Sequence, residues 1–228
     1  MILDDGQVSR NDQFAVNDRL PSLIAPKGEL PLILKSLDIK VVVTGHFAQT
    51  TQIMCFYNPN NRKLEGNLTF PLPDNGVVCG YALDIEGIMV DGVIVPKQYA
   101  RKILEAEIRK GIDPGLIEQV QGNVYKTRIY PIPPKGTRTI SITYSSDLVF
   151  SGNDAAYHLP LLHAENIEEV SLRIEVQQSP VLPEISGGQG NATLTSWKDM
   201  WVAEAKIARG MPTEDLQIRL PNLPDSFT

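Results

Sequence analysis

Three histidines, two cysteines and a few closely spaced carboxylates are the residues here that could do chemistry. His158 and His163 stand five apart, which places them on a common face of neither a helix nor a strand, and His46 is remote in sequence. A zinc site needs three or four converging ligands, and no CxxC or HxxxH spacing accompanies them, so no metal is expected. Neither Cys55 nor Cys79 has a neighbouring histidine, and no Gly-x-Ser-x-Gly elbow occurs. A triad assembled from distant parts of the chain is the arrangement this leaves open. Asp84 and Glu86 fall on one face of a strand and could act as acid and base. A solvated strand face is the commoner reason for such a pair, and for Glu168-Glu169. Gly187-Gly-Gln-Gly190 lacks the lysine and the strand-to-helix setting of a phosphate loop, so it reads as a flexible hairpin. Trp197 and Trp201, four apart beside Lys198 and Asp199, could form a sugar-stacking platform, although anchoring a core or a hairpin is the more frequent use of tryptophan. No residue is assigned a catalytic, cofactor-binding or metal-binding role, and no cofactor is expected.

The composition narrows the classes further. The chain of 228 residues carries 21 basic and 27 acidic side chains, a net charge of −6. The basic residues are scattered, without an aromatic-studded stripe, so nucleic acid is not an expected partner. No apolar run approaches the ~20 residues of a membrane-spanning helix. The first residues show neither a basic nor an apolar leader region, which fits an intracellular protein, or a secreted one presented without its leader. Cys55 and Cys79 permit at most one bridge, and buried free thiols are the simpler expectation. Asn67-Leu-Thr69 and Asn191-Ala-Thr193 match the glycosylation acceptor pattern, which matters only in a secreted protein.

The elements that must position these residues are mostly strands. Residues 1–35 read as an irregular arm with a short edge strand near Leu32–Leu34. Ser36–Thr44 alternates at Leu37, Ile39, Val41 and Val43, and His46–Tyr57 follows as its neighbour. Asn58-Pro-Asn-Asn61 is a turn cluster, Leu64–Leu72 a strand, and Glu86-Gly87 the tip of a hairpin between 78–85 and 88–95. Between Pro96 and Gly111, Ala100, Ile103, Leu104 and Ile108 fall at helical spacing, with a proline suited to the first turn and a glycine past the last. The spacing predicts one amphipathic helix over about 96–111. Thr137–Tyr144 alternates cleanly, and residues 149–220 hold further strands with turn residues between them. The expected fold is mainly β, an antiparallel β-sandwich carrying that single helix.

Ordered motifs add a family resemblance. Phe70-Pro-Leu-Pro-Asp74 leads to Val78-Cys-Gly-Tyr-Ala-Leu-Asp-Ile-Glu-Gly87, then Asp91-Gly-Val, Lys97 and Ala100-Arg101 on the helix. Asp113-Pro-Gly-Leu-Ile-Glu118, Gly122-Asn-Val-Tyr125 and Ile132-Pro-Pro-Lys-Gly-Thr137 close the order. The stretch from Ser36 to Leu148 resembles the vault protein inter-alpha-trypsin (VIT) domain, which occurs in inter-alpha-trypsin inhibitor heavy chains and many bacterial proteins. The resemblance implies a structural module, commonly followed by a von Willebrand factor A domain. An Asp-Pro processing site of the heavy chains lies far beyond this module, so Asp113-Pro114 inherits no such role.

The resulting division is an N-terminal arm over 1–35, a VIT core over 36–148, a β extension of the same sandwich over 149–220 and a linker over 221–228. The expected function is a non-catalytic structural module of a larger multidomain protein. It would scaffold an adjacent von Willebrand factor A-type adhesion domain and make protein–protein contacts. The alternative is a carbohydrate-binding or glycan-processing sandwich that uses Trp197 and Trp201 with Asp84 and Glu86.

Overall fold

The computed structural model describes residues 22–73, 75–85, 87–94, 116–121, 123–161, 167–179, 181–188, 192–208 and 214–223. The expected helix over 96–111, Glu86, Asp113-Pro114, His163 and Asn191 lie outside the described residues. In chain order the strands are β1 (Ser22–Ile24), β2 (Ile33–Thr44), β3 (Phe47–Tyr57), β4 (Leu64–Pro71), β5 (Val77–Ile85), β6 (Ile88–Asp91), β7 (Val93–Ile94), β8 (Leu116–Gln121) and β9 (Val124–Ile132). They continue as β10 (Thr137–Asp147), β11 (Val149–Ser151), β12 (Asp154–Leu159), β13 (Glu169–Gln177), β14 (Glu184–Gly187), β15 (Thr195–Trp197), β16 (Met200–Ala208) and β17 (Leu216–Leu220).

The fold is mainly β, in three sheets. An eight-stranded sheet runs β15-β16-β13-β2-β3-β10-β5-β6. A five-stranded sheet, β1-β4-β9-β8-β7, and a four-stranded sheet, β11-β12-β17-β14, complete it. Pairing is antiparallel except for β2 with β13 and β7 with β8, which run parallel. The strand anticipated at Leu32–Leu34 is the start of β2: Ile33 and Leu34 pair with Tyr57 and Phe56 of β3, and pairing with β13 on the other side begins only at Ser36.

Alternation along β2, β3 and β10 puts one face of the large sheet inward. Two separate cores form on that face. Ile39, Val41, Val43, Ala48 and Leu148 pack with Leu172, Ile174 and Val176 of β13, and with Tyr157, Leu159, Ile218 and Leu220 of the four-stranded sheet. Met54, Phe56, Ile140, Ile142, Tyr81 and Leu83 pack instead with Leu64, Leu68, Phe70, Ile117 and Ile129 of the five-stranded sheet. Both small sheets thus cover the same face, side by side. Two bulges fit the strands to this task. One, at the register shift between Leu34 and Ser36, lets Leu34 and Leu37 both reach the second core. The other, opposite Thr143 and Tyr144, does the same for Val78 and Tyr81.

Candidate functional site

Between the two cores lies a seam of hydroxyls. On β3, Thr50 falls between Ala48 of one core and Met54 of the other; its register partner on β10 is Tyr144. Tyr157 reaches in from β12 and shares a hydrogen bond of 2.5 Å with the Thr50 hydroxyl. Its phenol lies 3.4 Å from that of Tyr144. All three residues are buried. Burial pushes the Tyr157 phenol well above its ordinary value, and the neighbouring Tyr144 raises it further. Burial raises Tyr144 as well, and hydrogen bonds to Tyr157, Thr50 and Gln52 offset part of that effect. Both phenols therefore stay protonated, as bridging groups rather than bases. One pleat along, the buried Ser146 hydroxyl has no partner among the described residues.

A second polar cluster fastens the second core. Asn58 is fully buried, and its Nδ2 donates to the carbonyls of Arg62 (2.9 Å), Ile132 (3.1 Å) and Pro133 (3.1 Å). Its Oδ1 accepts from the Asn60 backbone N–H (2.9 Å) and from Asn60 Nδ2 (3.0 Å). Asn60 in turn clasps both backbone groups of Leu30. Arg138, also buried, donates through Nε to the Pro131 carbonyl at 2.9 Å, and its other nitrogens reach the Pro131 and Asp84 carbonyls. The sequence marks Asn58 only as a turn residue; a side chain with four bonding sites inside a β-protein was the signal available.

The residues singled out for chemistry are dispersed. His158 Nε2 lies 3.4 Å from Asp215 Oδ2, while Asp215 Oδ1 accepts from the Leu161 N–H. The register places Ser186 two strands from His158, with Gln217 between them, about 10 Å away, too far for the imidazole to activate it. His46 meets Phe150 edge-on at 4.8 Å. Asp84 accepts from the Gly87 N–H at 2.6 Å and closes the hairpin tip, where Gly87 takes φ 86°. Glu168 pairs with Lys35 at 3.8 Å. Among the described residues, no three His, Cys, Asp or Glu side chains gather in a way that could hold a metal ion. Cys55 and Cys79 are free thiols, on strands separated by β10 and offset along it by about four residues, roughly 17 Å apart. Contrary to the expectation of burial, Cys79 is exposed and Cys55 half-buried, because both sit on the outer face of the large sheet.

The tryptophans do not form one platform. A two-residue turn at Lys198-Asp199, with Lys198 at φ 55°, pairs Trp197 with Met200 and so throws Trp201 to the opposite face. Trp201 packs against the first core. Trp197 is 52 % exposed, with the Lys198 ammonium 4.6 Å from its ring centre. It lines an open depression of about 530 Å³ together with Arg173, Thr193, Thr195, Ser196 and Glu204. Arg173 there pairs with Glu204 and, at 2.6 Å, with Glu175. Asp84 lies five strands from β16, about 24 Å away, so it takes no part in this depression.

A mainly β module, whose buried polar groups tie sheets to one another, is the class defined here. Residues 34–144 match the sequence model of the vault protein inter-alpha-trypsin domain, and the chain therefore carries a VIT domain. The mouse protein mono-ADP-ribosyltransferase PARP4 is 28% identical over 130 residues, covering 57% of this chain and 7% of that protein. Its human counterpart is 24% identical over 177 residues, covering 78% and 10%. The chain thus spans no more than a tenth of the length of these relatives. A crystal structure from Legionella pneumophila, of a protein provisionally assigned as nutrient binding, superposes with a TM-score of 0.58 at 14% identity. It covers 89% of this chain and 70% of that one, a likeness of fold alone. No helix among the described residues is long and apolar enough to cross a membrane.

Proposed function

We propose that this chain is a non-catalytic module of a larger protein. Its role is to hold a neighbouring von Willebrand factor A-type domain and to present surface for protein–protein contacts in adhesion. One observation supports this most: the buried side chains with the strongest hydrogen-bonding capacity, Asn58 and Arg138, spend it largely on backbone carbonyls inside the fold. Catalytic sites instead concentrate perturbed groups in a cleft that substrate can enter. The perturbed phenols of Tyr144 and Tyr157 are sealed from solvent. Transferase chemistry in the longer relatives then belongs to other parts of those chains.

Two measurements test this reading. The chain incubated with NAD⁺ and acceptor protein is expected to transfer no ADP-ribose; transfer that survives repurification would refute the non-catalytic role. The complete reading frame is expected to encode a von Willebrand factor A-type domain. Joined to this module, that domain should melt at a higher temperature than it does alone. An unrelated neighbour, or an unchanged melting temperature, would refute the scaffolding role.

A further inference from the structure

We propose that the depression beside Trp197 binds a short stretch of neutral oligosaccharide. An indole left half in water at the end of a rigid two-residue turn is a fixed aromatic face. Its electron-rich surface already attracts the Lys198 ammonium, and the weakly positive C–H face of a pyranose ring suits the same surface. The rest of the lining suits hydroxyl groups. Thr193 and Thr195, on the Trp197 face, bring two hydroxyls; that of Thr195 donates to the Val202 carbonyl, which leaves its lone pairs to accept. Arg173 has five N–H donors and spends Nε and Nη1 on Glu175 and Glu204. The Glu204 side chain is 65% exposed and keeps accepting capacity. A sugar hydroxyl both donates and accepts, so it can bridge such a pair.

Charge and shape narrow the ligand. Of the charged residues that line the groove, Arg173 is paired with Glu204, which leaves an anion little to attract it there. It opens on the outer face of β13, β16 and β15, at the edge of the large sheet. The volume of about 530 Å³ is within the range of small-molecule sites, and its openness lets a chain of rings run past. With Trp197 the one aromatic among the described residues that line the depression, the affinity is modest.

The test is a titration of the intact chain with cellotriose, maltotriose and triacetylchitotriose, with a heparin hexasaccharide as the anionic comparison. The two indole N–H signals are followed by NMR. At least one neutral trisaccharide should move the Trp197 signal saturably, with a Kd of ~1 mM or tighter, and leave the Trp201 signal in place. Trp197→Ala should weaken binding at least ~10-fold without changing the melting temperature. Glu204→Gln should weaken it by a smaller factor. Three results would overturn the proposal: no response to any neutral probe at ~10 mM, binding unaltered in Trp197→Ala, or binding of the heparin fragment alone.

Discussion

Tyr157 carries more of the fold than its single hydroxyl implies, because it is the member of the seam supplied by the four-stranded sheet. Tyr157→Phe removes one oxygen and leaves the buried Thr50 hydroxyl without that partner, which should cost about 1–2 kcal/mol in chemical denaturation. Ser146→Ala carries the opposite sign. That hydroxyl is buried and has no partner among the described residues, so its loss should be neutral or stabilising by up to about 1 kcal/mol. Equal destabilisation by both changes would mean that side-chain volume, not hydrogen bonding, governs the seam. The same phenols set an alkaline limit. Their values are raised in the folded state, so the stability they lend is intact below the unfolded phenol value of ~10. It is lost as pH climbs beyond that toward the folded values. Denaturation midpoints should therefore fall with rising pH in that range, and fall less steeply in Tyr157→Phe.

At the scale of elements, the outer face of the large sheet is tied by ion pairs across β2, β13 and β16. Glu175 sits between Arg173 (2.6 Å) and Lys40 (3.2 Å), with its side chain only 11% exposed. Burial acts to raise its carboxyl, but the hydrogen bonds and charges of Arg173 and Lys40 together outweigh it and hold the group below its ordinary value. A depressed carboxyl lends stability above its unfolded value of ~4.3 and loses it as pH falls through the folded one. Glu175→Gln should cost about 1 kcal/mol at neutral pH and flatten the acid limb; an unchanged limb would place the acid sensitivity elsewhere. Gly187 sets a different limit at the end of β14. It takes φ 71°, and a Cβ there would come within 1.9 Å of the Asp215 carbonyl oxygen. Gly187→Ala should cost at least ~2 kcal/mol, read as a lower melting temperature. In the sequence this glycine belongs to a run that reads as a loose hairpin, since nothing local announces β17 pressed against it. Period-two alternation at Ile39–Val43 and Ile140–Tyr144 and the hairpin that turns at Gly87 were legible because they are short-range. The parallel pairing of β2 with β13 was not, because Leu37 and Val170 meet across some 130 residues of chain. A spacing of four suggested one face for Trp197 and Trp201, and the turn between them inverts it.

The whole molecule is built on strands that serve two cores at once. β2 and β3 each give one end to the core under the four-stranded sheet and the other to the core under the five-stranded sheet, and β10 supplies Ile140 and Ile142 to the second core and leads into Leu148 of the first. The family match ends at residue 144, yet the partners of Ile39, Val41 and Val43 come from β12, β13, β16 and β17, all later in the chain. A fragment of residues 22–148 would leave those side chains facing water, a contiguous apolar surface that invites aggregation. The family boundary is therefore not a folding boundary. Because the cores share strands and are bridged by Thr50, Tyr144 and Tyr157, loss of one should unravel the other. Calorimetry on the full chain should show one transition whose calorimetric and van't Hoff enthalpies agree, and the 22–148 fragment should show no cooperative transition. Two resolved transitions, or a soluble fragment with a sharp melt, would mean that the five-stranded half folds alone and that the later strands are an attachment to it.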